Sequence, residues 1–444
     1  MIPQLMAGEF DNIHQGLTQL GALKILKSSV EELESKSDFY MAVSHLINFP
    51  GEDTVHGLIS FLQISSQDSS VLLAQRKAVE VLGRLRCQEA QTVIGQCLAS
   101  KDIYMVENAA WALGQLICQD SALHEQMISL LAEPRQNRRV LIQTLSSLDV
   151  DEAIPHFEEL KRDDKPSVAG AAIAALAKQR QLSKDEFEKL SENLFLPNQM
   201  DRQSAVQDII DARQVDLLAD VTKAPVSPAF KMRALKLLLN DEQLEAPYGI
   251  DLVKRVILDR PEEIVVLHHY EDAQDPAFLV NELFCPDFSR CYLAMQHLVA
   301  MNGQLIWPFL QKSWSDRAHN DYGAHYFFMH LFRFVDTWPD DSLPFIKELL
   351  LDAIQDLRPQ FKKSPPAALL SLSMRFPDLF MDQMDALRSD YTNFSWQKRF
   401  ACLEALGFLP QSSWPETIEP FLVQLVASDP EPIVRLKAQE LLKH

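Results

Sequence analysis

Residues 101–116, KDIYMVENAAWALGQL, carry the most chemically suggestive spacing in the chain. Val106, Ala109, Ala110, Leu113 and Leu116 recur at helical spacing and form one apolar stripe. Tyr104, Glu107, Asn108 and Trp111 recur at the same spacing on a second face. A face that is merely wetted carries Lys, Glu, Gln and Ser more often than two large rings beside a carboxylate and an amide. Rings supply flat stacking surface, and the carboxylate and amide supply hydrogen-bonding groups that fix orientation. The set suits holding a ligand.

Bulk composition narrows the classes of ligand. The chain has 444 residues, of which 47% are hydrophobic, enough for two domains or one long array. Only 13 are glycine, and neither G-x-G-x-x-G nor G-x-x-x-x-G-K-[ST] occurs, which argues against nucleotide-binding loops. The net charge is −20, from 62 acidic against 42 basic residues, so phosphate backbones are repelled and no nucleic-acid partner is expected. The apolar run near 168–177 is far too short to span a bilayer. Glu9 and Asp11 interrupt any leader-like start, and the expected location is cytoplasmic. The six cysteines form no C-x-x-C pair; reduced thiols and no metal are expected.

The second helix face needs a scaffold, and internal repetition supplies one. LASKDIYMVENAAWALGQL (98–116), LKRDDKPSVAGAAIAALAKQ (160–179) and LVASDPEPIVRLKAQELL (425–442) share a leucine, a polar turn with Asp, and a valine opening an Ala/Leu-rich helix. Asp102 and Asp164 lie 62 residues apart, two units of about 31, and PRQNRRVLIQTLSSL at 134–148 fills the gap. Gly83 precedes Gly114 by 31, and 37–63 reads as an earlier helix pair. Helix pairs that cannot bury their faces alone must stack, which predicts an all-α solenoid of HEAT-like repeats with a concave groove. Asp at the turn suits the N-cap of the second helix of each unit. An N-terminal repeat lobe over 1–200 and a C-terminal lobe over 201–444 are expected. The repeat is degenerate across 241–396, where aromatics and histidines gather, and RPQFKKSPPAAL (358–369) reads as a boundary or exposed loop.

The stretch Y-x-V-E-N-A-x-W-A-L at 104–113 resembles the HEAT-repeat phycobilin lyases of cyanobacteria, the E/F clan. The likeness extends through 37–54, 76–85 and 137–145 and thins beyond about residue 180. A single long chain is more similar to the phycoerythrobilin lyases and lyase-isomerases than to the two-subunit phycocyanobilin enzymes. The N-H-C-type motif of one isomerase branch is absent. The resemblance implies attachment of a bilin, the substrate and not a cofactor, through a thioether to a phycobiliprotein cysteine. Phycoerythrin is the expected acceptor, with or without isomerisation to phycourobilin.

On that reading Trp111 and Tyr104 stack on the bilin, Asp102 or Glu107 accepts from pyrrole N–H groups, and Asn108 holds a lactam carbonyl. Arg138 and Arg139 meet the propionates, and His45 is a further binding candidate, although packing is the commoner role for such a histidine. Arg138 and Arg139 read equally well as partners of a helix end or an acidic ridge. DYGAHYFFMH supplies the expected proton donor: Tyr322 and His325 share a face with Tyr326 and Met329, with Asp321 placed to orient an imidazole. Two other functions compete: a non-catalytic HEAT scaffold, and a bilin or apoprotein chaperone in phycobilisome assembly.

Overall fold

The computed structural model describes residue 14, residues 16–239, residue 243 and residues 247–443; among them every regular element is a helix. The all-α solenoid expected from the repeat is what forms. The chain divides into two compact units, 1–182 and 183–444.

In the first unit helices alternate between two rows. Asp38–His45, Ser69–Arg84, Ile103–Gln115, Arg138–Ser147 and Pro166–Ala177 form a front row in which each helix packs on the next. Glu52–Leu62, Gln91–Gln96, Ser121–Leu130 and Ile154–Leu160 form a back row, each packed on the front-row helix that follows it. The apolar stripe of 106–116 is the reason for this order. Val106, Ala109, Ala110, Leu113 and Leu116 are all at most 1% exposed, within one core that runs from Ala22 to Leu176. Small residues let the front row close up. A Cβ placed on Gly83 would sit 2.8 Å from Ala112 Cβ and 2.9 Å from its Cα, so only hydrogen fits between these two backbones.

Two devices repeat along the chain and carry its period. Three of the five front-row helices are followed by a left-handed residue, Arg86, Ile117 and Asp149 at φ 52°, 53° and 53°. After each, the next N–H reaches back to the last turn, as Cys118 N does to Leu113 O at 3.1 Å. An arginine of one front-row helix also pairs with an aspartate ahead of the next. Arg76 Nε lies 2.6 Å from Asp102, and Arg138 Nη2 lies 2.7 Å from Asp163. Asp102 caps its own helix as expected, its Oδ1 accepting from Tyr104 N. In the 160–179 repeat the engaged residue is Asp163 rather than Asp164, because Lys165 occupies the cap and donates its N–H to Asp163 Oδ1.

The second unit continues the pairing through the stretch where the sequence repeat fades. Phe288–Val299, Tyr322–Phe334, Ser364–Arg375, Trp396–Leu406 and Pro432–Lys443 pack in succession. Arg399 repeats the arginine device on both oxygens of Asp429, at 2.8 and 2.9 Å. Pro247–Leu258 returns to touch three of these helices, and Lys236 reaches Glu431 at 3.2 Å. Only the first half of the segment 358–369 is a largely exposed turn; residues 364–369 are helical and buried. Pro365 and Pro366 occupy the first turn of Ser364–Arg375, where a missing N–H costs nothing, and Ser364 to Ser373 are buried.

Two stability changes follow. Gly83→Val forces a branched side chain between two packed backbones and should cost about 1–3 kcal/mol in denaturant melts. Ile117→Gly relieves a β-branched residue, 62% exposed, of a left-handed conformation and should gain about 1 kcal/mol.

Candidate functional site

The face opposite the apolar stripe opens on a cleft of about 560 Å³ in the first unit. It is lined by Glu107, Asn108, Trp111 and Gln115 of one front-row helix, Glu80 and Arg84 of the helix before it, and Val140 of the helix after. Three of the residues expected from the sequence therefore meet in one concavity. Trp111 is half-buried: its ring packs against the core and near Gly83, and the residue also lines the cleft. Asn108 is anchored, donating to the Arg76 carbonyl at 3.2 Å. The Glu107 carboxylate and the Trp111 indole N–H, by contrast, bond nothing among the described residues. An acceptor and a donor on a half-buried ring surface are thus left for a ligand. Lys77 neutralises Glu80 at 2.8 Å.

The flanking expectations fall out differently. Tyr104 is 56% exposed at the edge of this face, with the Arg76 guanidinium 4.9 Å above its ring. Asp102 is spent on its cap and on Arg76, so of the two carboxylates expected to bind, Glu107 is the one without a partner among the described residues. Arg138 is bound to Asp163, and Arg139 donates to the Ser167 carbonyl at 2.8 Å. Both arginines stitch one repeat to the next and neither lines the cleft. His45 is 2% exposed, its Nε2 lies 2.6 Å from the Leu17 carbonyl, and its ring sits against Phe49, which is a packing role.

Asp321, Tyr322 and His325 lie in the second unit, and the structure corrects how they relate. Asp321 caps the helix Tyr322–Phe334, its Oδ1 accepting from Gly323 N and Ala324 N. Ser364, not Asp321, holds the His325 ring, at 2.9 Å from Nδ1. His325 is 3% exposed between Trp314 and Phe361, and burial pulls its pKa down to about 4. The ring is neutral at physiological pH and is no exposed general acid. Tyr322 is 53% exposed. The alternation with phenylalanines that signalled core packing outweighs the helical spacing here.

A second concavity, not anticipated from the sequence, lies wholly within the second unit. It encloses about 480 Å³ between the helices Pro228–Leu238, Pro247–Leu258, Tyr322–Phe334, Ser364–Arg375 and Trp396–Leu406. Its walls are apolar, with Arg233, Lys236, Lys362 and Lys363 around them and no carboxylate in the lining. The wall residue Tyr326 is fixed from behind. Its hydroxyl and that of Tyr292 each donate to Asp259 Oδ2 at 2.6 Å, and the buried Lys231 approaches Oδ1 at 3.5 Å. The signal in the sequence was the basic pair Lys362–Lys363, hidden by the apparent loop around it. No group of His, Cys, Asp and Glu suited to a metal occurs among the described residues, and none of their helices is long and apolar enough to cross a membrane.

The buried imidazole gives a pH signature. His325 titrates near 6.5 when unfolded and near 4 when folded, so the stability it confers is complete above 6.5 and is lost as pH falls from 6.5 to about 4. Over that window the parent should lose about 3 kcal/mol more than His325→Gln in urea melts. Equal losses would show that the ring is not held neutral.

No family model matches the chain. It is 39% identical over 389 residues to the bilin biosynthesis protein CpeY of Synechococcus sp. (strain WH8020), covering 86% of this chain and 91% of that one. It is 31% identical over 427 residues to the uncharacterized phycocyanin operon protein Y of Pseudanabaena tenuis (strain PCC 7409), covering 95% and 97%. Among solved structures it is similar to the complex of CpcE and CpcF of phycocyanin lyase from Nostoc sp. PCC7120, with TM-score 0.46 and 23% identity over 54% of this chain and 94% of that one. It is also similar to Kap121p, with TM-score 0.32 and 16% identity over 98% and 49%. The relative matched at 39% identity over nine-tenths of its length places the sequence: the chain belongs to the family of the bilin biosynthesis protein CpeY, within the HEAT-repeat phycobilin lyases of the E/F clan that its 104–113 motif resembles.

Proposed function

We propose that this chain is a phycobilin lyase that attaches phycoerythrobilin to a cysteine of a phycoerythrin subunit. The observation that carries the reading is the 39% identity to a bilin biosynthesis protein, sustained over 91% of that relative. The cleft in the first unit supports it chemically. A bilin is a flat conjugated strip with four ring nitrogens, and here a half-buried indole stands beside a carboxylate that has no partner among the described residues. Glu107 accepts from pyrrole N–H groups, which favours the protonated chromophore, and Trp111 stacks on the ring plane.

The reaction is an addition with no leaving group. The acceptor thiolate forms the C–S bond at the A-ring ethylidene carbon, the displaced π pair moves into the conjugated system, and one proton is taken up. Of the residues expected to deliver that proton, Tyr322 is the one that reaches solvent well. Nothing in this scheme requires a cofactor or a metal, and the location that goes with it is the cytoplasm. Isomerisation to phycourobilin is a variant of the same step, in which the proton returns to a different carbon.

Co-expression with phycoerythrobilin-producing enzymes and a tagged phycoerythrin subunit tests the reading. The purified subunit, denatured, should carry covalent absorbance; a blue-shifted product would mark a lyase-isomerase. No covalent bilin, with pigment or apoprotein still co-purifying, would leave a chaperone or scaffold. In the same assay Glu107→Gln should lower the covalent yield about tenfold, the worth of one charge-assisted hydrogen bond, at unchanged melting temperature.

A further inference from the structure

We propose that the cavity in the second unit is a binding site for an apolar organic dianion, and that its occupant is the bilin, held there by its propionates. The inference rests on the lyase reading for the identity of the ligand, but on the cavity alone for its chemistry.

The charge of the lining runs against that of the chain. In a protein of net charge −20, four cations and no carboxylate surround an apolar space of about 480 Å³, a size ordinary for small-molecule sites. Arg233, Lys236 and Lys363 differ in how far they are already committed. Arg233 donates to the Gln207 side chain, and Lys236 pairs with Glu431 across the rim and sits 4.5 Å from the Trp396 ring. Lys363 has no ion pair and no hydrogen bond among the described residues. Its ammonium lies 4.8, 5.0 and 4.9 Å from the ring centres of Phe288, Tyr322 and Tyr326.

Three aromatic faces stabilise a cation without neutralising it. Burial pulls the Lys363 pKa down to about 8, and the groups that oppose this, Cys291 and then Asp259 and Asp321, act only through space, without a hydrogen bond. Asp259 is in any case occupied by two tyrosine hydroxyls and Lys231. A desolvated ammonium beside an apolar cavity lacks a counter-ion at hydrogen-bond distance, and a carboxylate entering the cavity supplies it. Met232, Val256, Ile257 and Ala367 then cover the apolar body of the ligand.

The first unit's cleft could not do this. Its lining carries two carboxylates and one arginine, and that arginine lies 3.9 Å from Glu80. Such a lining favours ring N–H groups and opposes propionates. Nor do Arg138 and Arg139 serve, being bound to Asp163 and Ser167.

The test is a titration of the full chain with biliverdin and with its dimethyl ester, followed by the shift in bilin absorbance. Lys363→Met keeps the apolar stem and removes the charge. It should weaken biliverdin binding roughly tenfold, at unchanged melting temperature, while Lys363→Arg retains affinity and the ester is indifferent to either change. Biliverdin binding that is unaltered in Lys363→Met, or an ester that loses affinity to the same extent, overturns the inference. The co-expression assay separates this from the lyase reading. Covalent bilin in both parent and Lys363→Met, with equal biliverdin affinity, discards the cavity and keeps the lyase. Lys363-dependent biliverdin binding without covalent product keeps the cavity and discards the lyase.

Discussion

Backbone approach between Gly83 and Ala112 is the constraint from which the first unit's site follows. Two front-row helices can touch only where side chains are absent or minimal, and that contact fixes how far each helix is rotated about its axis. With the apolar stripe of 106–116 turned to the core, the Glu107, Asn108 and Trp111 face has one direction left. The same contact places the Trp111 ring close to Gly83, so the residue that packs the helices is also the one that walls the cleft. Packing and binding are not alternatives for this tryptophan. A large ring at a helix junction has surface enough for each.

Much of this is legible in the sequence, for a physical reason. A stacked array repeats its local requirements, so the leucine, the turn aspartate and the valine recur at a fixed period and announce the fold. The structure adds that the period is also written in the left-handed residues Arg86, Ile117 and Asp149, which no glycine marks. Arginines misled where they were exposed in sequence but engaged in space. Arg138 sits where a ligand-binding residue and an inter-repeat tie look identical, since both need one guanidinium near a helix start. Proline misled at 365–366 for the opposite reason: the rule that it stops helices is silent on whether it opens one. The second cavity was unreadable because its lining comes from five helices spread over about 170 residues, with no shared spacing.

The two concavities, each within its own unit, carry linings of opposite charge. A ligand with ring N–H donors and carboxylate acceptors asks for negative and positive surroundings at once, and placing both in one small space mainly makes them pair with each other. Glu80 illustrates the outcome, being neutralised by Lys77 with Arg84 close by, so that Glu107 is the lining carboxylate left without a partner among the described residues. In the second unit the acid that would pair with the cavity cations has been withdrawn behind the wall. Asp259 lies 3% exposed in a left-handed turn, facing Lys231 and two tyrosines instead.

That withdrawal has a structural cost which explains its form. Burying Asp259 with Lys231 is unfavourable unless the remaining lone pairs are satisfied, and desolvation still lowers the Lys231 pKa despite the neighbouring carboxylate. Tyr292 and Tyr326 complete the carboxylate with two short hydrogen bonds, and their own burial pushes both phenols far above the usual range, so they remain donors. Arg333 ties the Leu258 carbonyl beside the turn and donates to the neutral His330. The result is a rigid polar knot whose outward side is aromatic. Tyr326 thus meets the cavity with its ring, offering Lys363 a π face and no proton acceptor. A wall built in this way holds a cation in place while leaving its charge available.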